Sequence, residues 1–128
     1  MTPALEEAKR LLRLALRDRE TFDLLMPLPK ASLAALGFLA QQSVEKALKA
    51  VAVTRGAEVR RTHDLAALGE AILAHGGVLP VTVDDLRSLN PYAVEFRYDD
   101  EMVPTTTRAE LETLLSAILQ WAQQCVAG

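Results

Sequence analysis

The chain has 128 residues, half of them apolar and 24% charged, which suffices for one buried core and leaves too little for two independent domains. With 14 Lys+Arg against 17 Asp+Glu the net charge is −3, so the field of the whole molecule does not favour a nucleic-acid backbone as a free-standing target. One cysteine, Cys125, excludes an internal disulfide; no apolar run approaches the ~20 residues that span a bilayer, and the N-terminal stretch has no apolar centre of the kind a secretory signal needs. A cytoplasmic protein without membrane contact is expected, folded as one domain over residues 1–128. The charge is divided unevenly: residues 1–61 carry 11 Lys+Arg and 7 Asp+Glu, whereas 62–128 carry 3 and 10. The halves therefore attract each other, within one bundle or between two subunits.

In chain order, Leu5, Ala8, Leu12, Ala15, Leu16, Phe22 and Leu25 recur at three- and four-residue steps, which predicts an amphipathic helix over 2–25. Thr2, Pro3, Glu6 and Glu7 supply an N-cap, a first-turn proline and negative charge at the positive end of the dipole. Pro27 and Pro29 interrupt it. A second helix is predicted over 31–54 on Leu36, Leu39, Ala40, Ser43, Val44, Ala47, Leu48 and Val51, stopped at Gly56. Leu65, Leu68 and Ile72 mark a shorter third helix, capped by Thr62 or Asp64 and ended by Gly76 and Gly77. Pro80 argues against a strand over 78–83. Leu86, Leu89, Tyr92, Ala93 and Phe96 give a fourth helix that Pro91 should bend or split. The last helix, 109–126, buries Leu111, Leu114, Leu115, Ile118, Leu119, Trp121 and Ala122. With no strand alternation, the pattern specifies an all-α fold: an antiparallel up-and-down bundle of about five helices, close to a four-helix bundle.

One Cys and two His provide no metal-ligand cluster, no Gly-rich phosphate loop is present, and no nucleophile triad can be argued. No metal, cofactor or catalytic residue is assigned. What remains is polar residues on helical spacing. Gln42, Glu45, Lys46 and Lys49 form a seam along the second helix, with a solvated face as the plain alternative. His63, between Arg60-Arg61 and Asp64, stands at a helix start where free N–H groups favour an anion, unless the turn is only a cap. Arg97 offers a fork for phosphate or carboxylate and Tyr98 a ring to stack, unless Arg97 pairs with Glu45 or Asp99-Asp100.

The run Phe38-Leu39-Ala40-Gln41-Gln42-Ser43-Val44-Glu45-Lys46-Ala47-Leu48-Lys49-Ala50, followed by Gly56, Thr62-His63-Asp64-Leu65 and Tyr92 to Arg97-Tyr98, resembles the HEPN domain family (higher eukaryotes and prokaryotes nucleotide-binding) over about residues 1–125. The resemblance implies a helical bundle that forms homodimers and binds a nucleotide or substrate beside a separately encoded minimal nucleotidyltransferase, in some cases within a toxin–antitoxin pair. Carried over by position, its polar residues are Gln42, Glu45, Lys46, Lys49, Thr62, His63, Asp64, Arg97 and Tyr98, with Lys49, His63 and Arg97 meeting phosphate. The nuclease members carry an Arg, four to six residues, then a His. Here those positions hold Gly56, Ala57 and Glu58 before His63, and Leu68, Gly69 and Glu70 before His75. A non-catalytic binding subunit is therefore expected, with a pure dimerisation module or a variant ribonuclease toxin as alternatives.

Overall fold

A computed structural model describes residues 2–58, 61–93 and 106–127. Its helices are α1 (Pro3–Leu25), α2 (Leu33–Thr54), α3 (Leu65–Ala74), α4 (Val83–Arg87) and α5 (Arg108–Ala127), with a 3₁₀ turn over Asn90–Ala93. The fold is an all-α bundle. The described residues contain no strand.

Local chemistry sets these boundaries. The Thr2 hydroxyl accepts from the Leu5 amide and Pro3 opens α1; the Ser32 hydroxyl accepts from the Ala35 amide at the start of α2. The two long ends that follow are closed alike. Gly56 adopts φ +73° and Gly76 φ +83°; Ala57 N bonds Ala52 O at 3.0 Å and Gly77 N bonds Ile72 O at 2.9 Å. These left-handed glycines let the chain turn back and satisfy the last carbonyls of α2 and α3. The expected fourth helix is split, as Pro91 requires: α4 has a reciprocal Thr82–Asp85 capping box, and Pro91 lies within the 3₁₀ turn. Its expected continuation to Phe96 falls outside the described residues.

α2 is the axis of the bundle, packed against α1, α5, α3 and the 3₁₀ turn. Small residues bring α1 and α2 close: Ala8 and Ala15 on one, Ala40, Ala47 and Ala50 on the other, all fully buried. At the crossing the buried Ser43 hydroxyl donates to the Ala15 carbonyl at 2.7 Å. The core adds Phe22, Leu36, Leu48, Leu65, Ile72, Leu86, Leu89, Leu111, Leu115 and Ile118, each contributing roughly 1.5–3 kcal/mol when removed from water. In α1 the buried stripe is Ala8, Leu11, Ala15 and Phe22; Leu12 and Leu16, expected inside, only flank it. α4 and the 3₁₀ turn return the chain along α3, so that Asn90 meets Asp64 at the start of that helix and Leu86 lies beside Gly69.

Two long-range contacts fix this arrangement. The Arg108 guanidinium, at the start of α5, donates to the carbonyls of Met26, Leu28, Pro29 and Ala31 in the α1–α2 connection. The Tyr92 ring lies flush against Gly37 of α2, and its hydroxyl bonds the buried Thr106 hydroxyl at 2.5 Å. A Cβ on residue 37 would fall 2.2 Å from the Tyr92 ring. Gly37→Ala should therefore lower stability by about 1–3 kcal/mol through overpacking, read as an earlier urea midpoint at unchanged slope. A midpoint equal to that of the unmodified chain would show that this contact yields freely.

Candidate functional site

The central feature of α2 is a carboxylate that helical periodicity turns inward. Glu45 has a side chain only 7% exposed and accepts three hydrogen bonds. Oε1 receives Gln41 Nε2 at 3.1 Å and His63 Nδ1 at 2.7 Å, while Oε2 receives Lys49 Nζ at 3.1 Å. Gln41, fully buried one turn earlier, uses the same amide nitrogen to reach the His63 carbonyl at 3.4 Å; its amide oxygen accepts from Gln42 Nε2 at 2.7 Å. The network fixes the orientation of that amide, since the opposite rotamer would set its oxygen against the carboxylate.

Burial alone would raise the pKa of Glu45, but bonds from His63, Gln41 and Lys49 and the Lys49 charge outweigh it and hold the group below the ordinary glutamate value. The carboxylate is thus ionised at neutral pH and offers only lone pairs. Nδ1 of His63 must carry the proton, which leaves the Nε2 lone pair on a ring that is 72% exposed.

The turn that delivers His63 is itself over-determined. The Thr62 hydroxyl accepts from the Asp64 amide at 3.0 Å, and the Asp64 carboxylate caps α3 by accepting from Ala66 and Ala67 N–H. Asn90 pins the same corner, donating to Asp64 at 3.0 Å and accepting from the Leu65 amide at 2.9 Å. Beside it lies a cleft of about 390 Å³ whose walls include Thr62, Ala67, Leu68, Ala71 and His75.

The expected site residues therefore separate into groups. Gln42, Glu45, Lys49 and His63 come together; Thr62 and Asp64 shape the turn beneath them. Lys46 pairs instead with Asp18 of α1, a contact that ties the two helices. Arg97 and Tyr98 lie outside the described residues. Gln41 and Asn90 complete the arrangement without having been singled out in the sequence. The signal for Gln41 was its four-residue step to Glu45; Asn90 carried none, because its partners are 25 and 26 residues away. Among the described residues no three metal-type side chains converge.

A small helical bundle with an ordered acid–base cluster midway along its central helix is the class these features define. The HEPN domain model matches residues 8–125, and the chain belongs to the HEPN family. No curated protein and no solved structure matches the sequence. Among the described residues, no helix is long and apolar enough to cross a membrane.

Glu45 also makes stability depend on pH in a defined direction. Its folded pKa lies below the unfolded one, so its stabilisation is complete above the unfolded value and is lost as pH falls through the folded value. Glu45→Gln should be less stable than the unmodified chain at pH 7, and the gap should close as the pH falls from the ordinary glutamate value through the lowered folded one. Urea unfolding across that range is the check; a gap of constant size would mean that the ionised form contributes nothing.

Proposed function

We propose that this HEPN chain is a non-catalytic binding subunit that receives the phosphate of a nucleotide at the His63 and Lys49 side of the Glu45 cluster. The observation that carries the proposal is the buried carboxylate holding a cationic amine and an exposed imidazole in fixed positions on one face. A donor set held this way loses little side-chain entropy when it meets an anion. Protonation of His63 would leave the cluster with one net positive charge, because Glu45 offsets only Lys49. Family membership supports a nucleotide-related role. On this reading the chain acts as a homodimer beside a separately encoded minimal nucleotidyltransferase, in a cytoplasmic setting that includes a toxin–antitoxin pair.

One observation favours a second reading. Glu45, Gln41, Lys49 and His63 already bond one another, as a purely structural staple between α2 and the turn before α3 would. The protein would then be an interaction module without nucleotide affinity.

Calorimetric titration with ATP, GTP and a short RNA, alongside a sizing column, separates the two. Binding of a nucleotide should weaken about tenfold or more in His63→Ala and in Lys49→Ala, as expected for loss of a charge-assisted bond, and persist in Lys46→Ala. A well-folded chain silent toward both nucleotides would overturn the binding reading in favour of the interaction module. Cleavage of the RNA would overturn both.

A further inference from the structure

The chain has two histidines, and their surroundings differ in one respect. Each ring presents Nδ1 to an oxygen: His63 to the Glu45 carboxylate at 2.7 Å, His75 to the Ala71 carbonyl at 2.9 Å. Both rings are exposed and both acceptors take a proton from Nδ1, so in each neutral ring the lone pair is on Nε2. Only His63 has a charged acceptor. That acceptor is buried, held by Gln41, and shared with the Lys49 amine.

Such a pair suits nucleophilic attack by the outer nitrogen. When Nε2 forms a bond to an electrophile, positive charge develops on the ring, and a fixed carboxylate at Nδ1–H stabilises it more than a neutral carbonyl does. The Lys49 amine, bonded to the same carboxylate, offsets its charge, so an electrophile that is itself anionic is not repelled. Phosphorus in a phosphoric or acyl-phosphoric anhydride fits both conditions.

We infer that Nε2 of His63 is a phosphoryl-acceptor site, modified by a small anhydride donor such as a nucleoside triphosphate or an acyl phosphate. The Nε2–P bond forms as the P–O bond to the leaving group breaks. The nucleoside diphosphate or carboxylate departs with the electron pair, and the Nδ1 proton stays in its bond to Glu45. The product carries the phosphoryl group on the exposed edge of the ring, where a second protein can reach it. The inference goes beyond nucleotide binding and rests on that reading only in placing a phosphate at His63.

Phosphoramidate, which phosphorylates imidazole directly, tests the intrinsic property on the full-length chain, with acetyl phosphate and ATP as parallel arms. Intact mass and peptide mapping should show one acid-labile phosphoryl adduct on His63, formed about ten times faster than on His75. Glu45→Gln should slow labelling of His63 about tenfold and leave the His75 rate unchanged, with a helical circular dichroism spectrum and a cooperative urea transition showing that the variant is folded. Equal rates at the two histidines, or a rate at His63 indifferent to Glu45→Gln, would overturn the inference. Labelling by ATP or by acetyl phosphate identifies the donor class, whereas labelling by phosphoramidate alone would refute an anhydride donor. The two readings fail separately: nucleotide binding without an adduct removes only the acceptor site, and an adduct without nucleotide affinity removes only the binding subunit.

Discussion

The constraint on which the rest depends is a negative charge placed inside the bundle. A carboxylate at the Glu45 position is tolerable in a helical interior only if its oxygens are occupied, because an ion stripped of water loses several kcal/mol of solvation. α2 can supply two of the partners from its own length, Gln41 and Lys49, each four residues away. The third has to come from elsewhere, and the chain after α2 is shaped to provide it. The Gly56 stop reverses the direction, and the Thr62–Asp64 turn presents the His63 ring and carbonyl to the axis helix. α3 then begins from a corner already fixed by Asp64 and Asn90. The start of α3 is in this sense tied to one buried side chain, while Leu65, Leu68 and Ile72 seat the rest of the helix in the core.

The same constraint links fold and chemistry. A surface histidine ordinarily samples several rotamers and both tautomers, and its function is diluted accordingly. Here the tautomer is imposed by an ionised acceptor, and the turn before α3 fixes where the ring sits. The groups that orient it are themselves held: Gln41 by complete burial, Lys49 by its bond along the helix. The exposed edge of the ring is thereby backed by side chains that are themselves hydrogen-bonded, the kind of support by which a fold holds a side chain in one geometry.

Much of this was legible in the sequence because the informative features are local. Helix periodicity, the Thr2 and Asp64 caps, the glycine stops and the effect of Pro91 act over four or five residues, and the structure reproduces them. Features that depend on a distant partner were not legible. Lys46 stands four residues from Gln42, as Lys49 does from Glu45, and spacing cannot reveal that Asp18 of α1 faces one lysine and not the other. Gln41 reads as an ordinary helix residue until the His63 carbonyl is brought within reach of its amide. Asn90 reads as a turn residue until it is found bridging Asp64 and Leu65. The limit is physical: a polar side chain acquires its role from what the tertiary fold sets opposite it.

The Arg108 contact has a consequence for how the chain is made. As the protein emerges from the ribosome, α1, its connection and α2 are complete long before residue 108 is added, some 80 positions downstream of the carbonyls that its guanidinium will gather. Until then water must serve the Met26, Pro29 and Ala31 carbonyls, while that of Leu28 can accept from the Ala31 amide, and the two helices form a hairpin with an unfastened end. Docking of α5 both covers the apolar side of α2 and closes that end, so a helix added after α1 to α4 is the one that completes the first turn. The nascent hairpin remains open to exchange with solvent until α5 has been added, and commitment to the native arrangement falls to that twenty-residue helix.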